Sequence, residues 1–149
     1  MKISIFAGEI RLKILLDTNV ILDIVLERHP FDESAIALLQ AIYHNDDVLF
    51  VTATTITDLY YVTRKAKGHT IALNFIVDLL EFVNVAGVDE EVITRALHSQ
   101  IIDFEDAIQE SAAKIQEIDV IVTRNVTDFV NSEVEIHTPD SFLKMYKQM

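Results

Sequence analysis

Apolar residues along this chain follow two rhythms. Ile14–Leu16, Val48–Val51, Val83–Val88 and Ile118–Thr123 are short, mostly apolar runs, and Val134–His137 reads as a short fifth strand. Such runs suit strands buried on both faces of a parallel sheet. Between them, apolar positions recur every three or four residues, as on one face of a helix. Val20, Ile21, Ile24 and Val25 predict a helix over Asn19–Glu27, ended by His29-Pro30. A second helix opens at Asp32 or Ser34 and carries Ile36, Leu38, Leu39 and Ile42. A third runs from about Thr55 to Lys67, where Gly68 stops it. A fourth spans Thr70–Phe82, with Ile71, Phe75, Leu79 and Phe82 on one face. Asp89 caps a fifth over Glu90–His98. The sixth, Asp103–Ile115, turns Phe104, Ala107, Ile108 and Ala112 inward, and Pro139 opens a last helix ending near Tyr146.

Strands that alternate with helices in this way predict an α/β fold. The expected architecture is a three-layer α/β/α sandwich around a mostly parallel sheet of about five strands. No repeat, low-complexity segment or linker divides the chain, so residues 13–149 are expected to form a single domain. Residues 1–12 form an N-terminal extension whose weak alternation (Ile3, Ile5) is broken by Gly8-Glu9.

Composition narrows the function. At 149 residues and 50% hydrophobic content the chain suits one folded domain with a sizeable core. It has no cysteine, so thiolate metal sites, disulfides and cysteine nucleophiles are excluded. No apolar run reaches the ~18 residues of a membrane span. Lys2–Glu9 lacks the apolar centre of a signal peptide, and a cytoplasmic location is expected. A net charge of −12 argues against a broad polyanion-binding surface. It is compatible with a nuclease that gathers carboxylates around divalent cations.

Four carboxylates fall close to strand ends or to the helices that follow them. Asp17 follows the first strand, and Asp58 lies in about the first turn of the third helix. Asp106 is near the start of the sixth helix, and Asp128 comes shortly after the fourth strand. In open α/β sheets ligands bind along the carboxyl edge of the strands. Like charges within ~5 Å raise one another's pKa unless a cation lies between them. Hard oxygen donors suit Mg²⁺ or Mn²⁺. Each acid also has a plain role: Asp17 as a helix cap, Asp58 as a complement to the helix dipole, Asp106 as a solvated side chain, Asp128 as a turn residue. Asp103 suits a cap or a supporting contact to the site. Arg64 and Lys65 at the end of the third helix, and Arg124 beside the site, are the candidate phosphate contacts. Tyr60 and Tyr61 are candidates for base stacking.

Three stretches carry a family resemblance. Ile14-Leu-Leu-Asp-Thr-Asn-Val-Ile-Leu-Asp23, Phe104-Glu-Asp-Ala-Ile108 and Val122-Thr-Arg-Asn-Val-Thr-Asp-Phe129 resemble, in order, the motifs of PIN-domain ribonucleases. The resemblance is to the toxins of VapBC-like toxin–antitoxin pairs. It implies metal ligands at Asp17, Asp106 and, through water, Asp128, with Asn19 ordering the first loop and Thr123 supplying a hydroxyl. The remaining family acid is usually Glu; Asp58 matches it with one methylene fewer. The resemblance also implies an RNA substrate, a Mg²⁺ or Mn²⁺ cofactor, a small antitoxin partner and a homodimer. A phosphatase with an aspartyl nucleophile would want a second Asp where Asn19 stands. A phosphoacceptor domain would want adjacent acids at Asp17. A PIN-like module that binds RNA or protein without cutting remains the alternative.

Overall fold

The computed structural model describes residues 11–147. Among these, strands and helices alternate in chain order: β1 (Lys13–Leu16), α1 (Thr18–Val25), α2 (Phe31–His44), β2 (Val48–Thr52), α3 (Ala53–Lys67), α4 (His69–Leu79), β3 (Asn84–Ala86), α5 (Glu90–Leu97), α6 (Phe104–Ile115), β4 (Val120–Val122), β5 (Glu135–His137) and α7 (Pro139–Lys147). A short 3-10 turn, Val126–Phe129, follows β4 and was not signalled by the apolar rhythm. Most of the expected extension lies outside the described residues. Its last residue, Leu12, is already buried, and its N–H donates to Asp47 at 2.9 Å.

All five strands are parallel, in the order β3-β2-β1-β4-β5. Strict alternation along each strand feeds two cores. Ile14, Leu16, Leu49, Val51, Val120 and Val122 pack with Val20, Ile21, Leu38 and Phe142 on one face. Leu15, Phe50 and Ile121 pack with Val92, Ala107, Ile108 and Ala112 on the other. The expected three layers are therefore present, and the period-2 alternation explains why. Gly68 joins α3 to α4 with φ +96°, a conformation that a side chain would strain.

The structure sets which face of α4 is buried and corrects one inward residue of α6. In α4 the buried positions are Ala72 and Leu79, with Phe75 packed against the core, while Ile71 is half exposed. Of the apolar residues read on one face of this helix, Phe75 and Leu79 pack inward and Ile71 does not, so the buried stripe is 72/75/79. Phe82 lies beyond the helix end, exposed, with its ring edge-on to Tyr43. Phe104, in the first turn of α6, is likewise half exposed.

The chain builds outward from β1 to β2 and β3, then crosses back to place β4 on the opposite side of β1. Neighbouring connections diverge there, and a crevice opens between the carboxyl ends of β1 and β4. Asp17 follows the first of these strands and Thr123 the second. Among the described residues no helix is long and apolar enough to cross a membrane.

Candidate active site

Asp17 ends β1 and caps α1, in extended backbone conformation. Its backbone N–H donates to the Val122 carbonyl at 2.9 Å, so the residue is anchored to β4. The side chain is 6% exposed and receives three donors. Oδ1 accepts from the Thr18 N–H at 2.7 Å and from Nε2 of Gln109 at 2.8 Å. Oδ2 accepts from the Thr123 hydroxyl at 2.8 Å, and Thr123 Oγ1 accepts in turn from the Asn125 N–H at 3.0 Å. A capping role and a central role in the crevice thus coexist in one carboxylate.

A buried run of hydroxyls ties this loop to the next helix. Thr18 Oγ1 lies 2.8 Å from Thr55 Oγ1, which accepts from Thr52 Oγ1 at 3.1 Å. Thr52 caps α3. Because α3 begins at Ala53, Asp58 stands in its second turn, one turn deeper than expected. That turn faces the crevice.

Asp17, Asp58, Asp106 and Asp128 line one open cleft of about 390 Å³, together with Asp103, Glu105, Asn19, Asn125 and Tyr61. A larger, mainly apolar cavity of about 660 Å³ lies at the opposite edge of the sheet, beneath the C-terminus of α2 and the Leu79–Val83 segment. None of the strand-end acids reaches it. Asp103 is the N-cap of α6, accepting from the Asp106 N–H at 3.0 Å, and also lines the cleft.

The crowding of acids leaves an electrostatic signature. Burial, followed by the charges of Asp17, Asp103 and Asp128, pushes the Asp106 carboxyl up to about 7. Glu105 is pushed up to about 8 by a hydrogen bond with Asp58, then by burial and by the charges of Asp58, Asp103 and Asp106. A site in which carboxyls are driven toward protonation is one that a cation would relieve.

A profile of the PIN domain family matches residues 13–127. The chain belongs to the PIN domain family. Ribonuclease VapC1 from Aquifex aeolicus is 28% identical over 144 residues, covering 92% of this chain and 97% of that relative. The PIN fold is shared with solved structures of lower identity. VapBC2 from Rickettsia felis, bound to a DNA fragment from its promoter, matches at 16% identity with a TM-score of 0.70, over 85% of this chain and 98% of that one. VapBC-1 from nontypeable Haemophilus influenzae matches at 18% identity and TM-score 0.67, over 87% and 99%.

In this PIN domain the remaining candidates divide. Asn19 lines the cleft, with its Oδ1 3.5 Å from Nη1 of Arg28. Tyr61 is exposed at the rim, whereas the Tyr60 hydroxyl bonds to Nδ1 of His69 at 2.8 Å. Arg64 and Lys65 are exposed on the last turns of α3, roughly 9 Å further along the axis than Asp58. Arg124 has a different partner from the phosphate expected for it. Its Nε lies 2.8 Å from Oδ2 of the buried Asp23, and its guanidinium stacks 4.2 Å from the centre of the Phe31 ring. Asp23 sits on the inner side of α1, so an arginine leaving β4 meets it before reaching the cleft. Glu105 and Gln109 were not anticipated. The available signals were the place of Glu105 inside the Phe104–Ile108 motif and the polar Gln109-Glu110 pair between Ala107-Ile108 and Ala112-Ala113.

Proposed function

We propose that this protein is a divalent-metal-dependent ribonuclease that hydrolyses RNA phosphodiester bonds, acting as the toxin of a toxin–antitoxin pair. The observation that carries this reading is the cleft at the β1–β4 switch point, where Thr18, Gln109 and Thr123 donate to Asp17 and Asp58, Asp106 and Asp128 line the same space. The similarity to a ribonuclease along nearly the whole chain supports the choice of RNA.

The donor set fits Mg²⁺ or Mn²⁺. All of it is hard oxygen, and burial together with the charges of Asp17, Asp103 and Asp128 raises the Asp106 carboxyl, a cost that a bound cation would relieve. The described acids ring the cleft without three of them already drawn to one point. Mg²⁺ keeps several waters and is held by one or two carboxylates, so a loose ring suits it. Asp17 and Asp106 would hold the ion, with Asp58 and Asp128 contributing directly or through water. When bound, such an ion supplies Lewis acidity: it makes water a stronger nucleophile and offsets charge growing on the phosphate.

The chain's own residues prepare that chemistry. Thr123, Thr18 and Gln109 keep the Asp17 carboxylate in one orientation. The Thr52–Thr55–Thr18 hydroxyl run locks α3 against the Asp17 loop, which sets Asp58 across the cleft. Asn19 shapes the floor. Tyr61 at the rim offers a face for a base, and Arg64 and Lys65 offer cations to phosphates further along the strand.

The partners follow from the same reading. Solved structures that share the fold include VapBC2, VapBC-1 and a toxin–antitoxin complex from Klebsiella pneumoniae. Tyr61, Val62, Ile71, Leu73 and Val77 leave apolar surface exposed on α3 and α4, which suits a small antitoxin or a second copy in a homodimer. An RNA target argues for the cytoplasm as the place of action. A PIN-like module that binds without cutting is the second reading, favoured by Asp58, whose short side chain is engaged with Glu105.

The test is cleavage of a mixed RNA panel with Mg²⁺, with Mn²⁺ and with chelator, beside Asp17→Asn. Cutting that requires metal and vanishes in the variant is the expected result. Metal binding without cutting of any RNA would favour the second reading. Cutting that persists in chelator would remove the metal-dependent one.

A further inference from the structure

Gln109 lies one turn beyond Asp106 on α6 and is almost wholly buried. Ala107, Ile108, Ala112 and Ala113 of the same helix are buried apolar residues, and the buried Glu110 beside it has its own partner in the Glu133 N–H at 2.7 Å, so packing alone does not call for an amide at 109. Its two ends are treated differently. The amide nitrogen donates to Oδ1 of Asp17 at 2.8 Å, while the amide oxygen is buried with no partner among the described residues. Turning the amide over would set oxygen against a carboxylate, so the orientation is fixed. A buried acceptor without a partner is unfavourable. A methionine of similar length would fill the space without that penalty. The glutamine is thus a poor choice for stability and needs another reason.

The reason lies in how donors are shared out on Asp17. A carboxylate oxygen offers about two lone pairs. Oδ1 receives two N–H donors, from Thr18 and Gln109, and is filled. Oδ2 receives the Thr123 hydroxyl and keeps one lone pair. We propose that Gln109 is a positioning residue that saturates Oδ1 of Asp17, so that this carboxylate engages a divalent cation through Oδ2 alone and in one fixed direction. The inference rests on the metal-site reading of the cleft. Mg²⁺ demands near-ideal octahedral geometry, so the direction of each donor matters. Without the amide, Oδ1 regains a lone pair, and the carboxylate is held by two donors, Thr18 and Thr123, in place of three. Loss of such an outer contact typically weakens metal affinity about 10–100-fold.

The experiment is Mn²⁺ titration calorimetry on the chelator-stripped full-length protein, with thermal melts of the same metal-free samples. Gln109→Met keeps the length and removes both polar ends. Gln109→Asn keeps the amide but is one methylene too short to reach Asp17. Both variants are expected to bind Mn²⁺ about tenfold or more weakly, while metal-free Gln109→Met melts at or above the parent temperature. A glutamine with a merely structural role would give the reverse: a lower melting temperature and unchanged affinity. Unchanged affinity in the two variants overturns the inference, and so does failure of both to fold, which would assign Gln109 to the fold itself. If the parent binds Mn²⁺, Asp17→Asn does not, and Gln109→Met binds as the parent does, the metal site stands and only this inference falls. A parent that does not bind Mn²⁺ removes both.

Discussion

Asp23 and Arg124 form a buried ion pair whose two halves should respond very differently to removal. The Asp23 side chain is 1% exposed, and that of Arg124 is 25% exposed. Arg28 is more distant, with Nη1 3.6 Å from Oδ1. Burial raises the Asp23 carboxyl above its ordinary value, despite the opposing pull of Arg124 and Arg28. The desolvation of this carboxylate therefore outweighs what both arginines return. Two unit charges ~4 Å apart interact by about 4 kcal/mol at an effective dielectric of 20. Water at the Arg124 end reduces this to roughly 2–3 kcal/mol. Arg124→Met leaves Asp23 buried with only the distant Arg28, and should destabilise by about 2–4 kcal/mol. Asp23→Asn removes the charge that burial penalises, and Arg124 can turn to water. It should lie within about 1 kcal/mol of the parent. The double variant should resemble Asp23→Asn, giving a coupling of roughly 2–3 kcal/mol. The sign with pH follows. The folded carboxyl titrates above its ordinary 3.8, so the parent loses stability as pH rises from there through the folded value, and Asp23→Asn lacks that loss. Urea unfolding of the four proteins at pH 7 is the assay. If Asp23→Asn destabilises as much as Arg124→Met, burial does not dominate and the reasoning fails. If Arg124→Met leaves stability untouched but weakens RNA binding, the arginine serves phosphate and not Asp23.

Asp106 gives a second pH dependence. Its carboxyl titrates at about 7 in the folded, metal-free protein against 3.8 ordinarily, so stability should fall as pH rises between those values. Asp106→Asn should flatten that fall, by roughly 1–2 kcal/mol at pH 8 after allowing for water in the cleft; equal pH slopes in urea melts of parent and variant would contradict it. Thr123→Val removes a donor to Asp17 and an acceptor for the Asn125 N–H. It should destabilise by about 1–3 kcal/mol and weaken Mn²⁺ binding, with Thr123→Ser restoring both. Phe142, fully buried and edge-on to Tyr146 and His137, anchors α7 and does not line the acidic cleft. Phe142→Ala should destabilise by about 3–5 kcal/mol in urea melts while leaving Mn²⁺ affinity within twofold; a large loss of affinity would show that α7 shapes the cleft.

What the sequence determined by itself was local in origin. Short apolar runs separated by helical periods left little but a parallel sheet covered on both faces, because strand and helix periods are properties of neighbouring residues. The cap at Asp17, the stop at Gly68 and the start at Pro139 belong to the same class. So does the ordered set of PIN motifs, which marked Asp17, Asp106 and Asp128 before any of them had a position in space. Only the tertiary structure decided which side of β1 the fourth strand would take. That choice opens the crevice and brings Thr123 within hydrogen-bond reach of Asp17 across 106 positions of chain. It gave Arg124 to Asp23, because an arginine's partner depends on which helix packs beside its strand. It also revealed Gln109 and Glu105. An amide among buried alanines has no meaning along one helix, and acquires one only when a carboxylate 92 positions earlier is brought to 2.8 Å. The inward face of α4 shows the same limit on a smaller scale. Stripes at 71 and 72 fit the helical period almost equally well, and the choice between them was made by the shape of the surface that α4 covers.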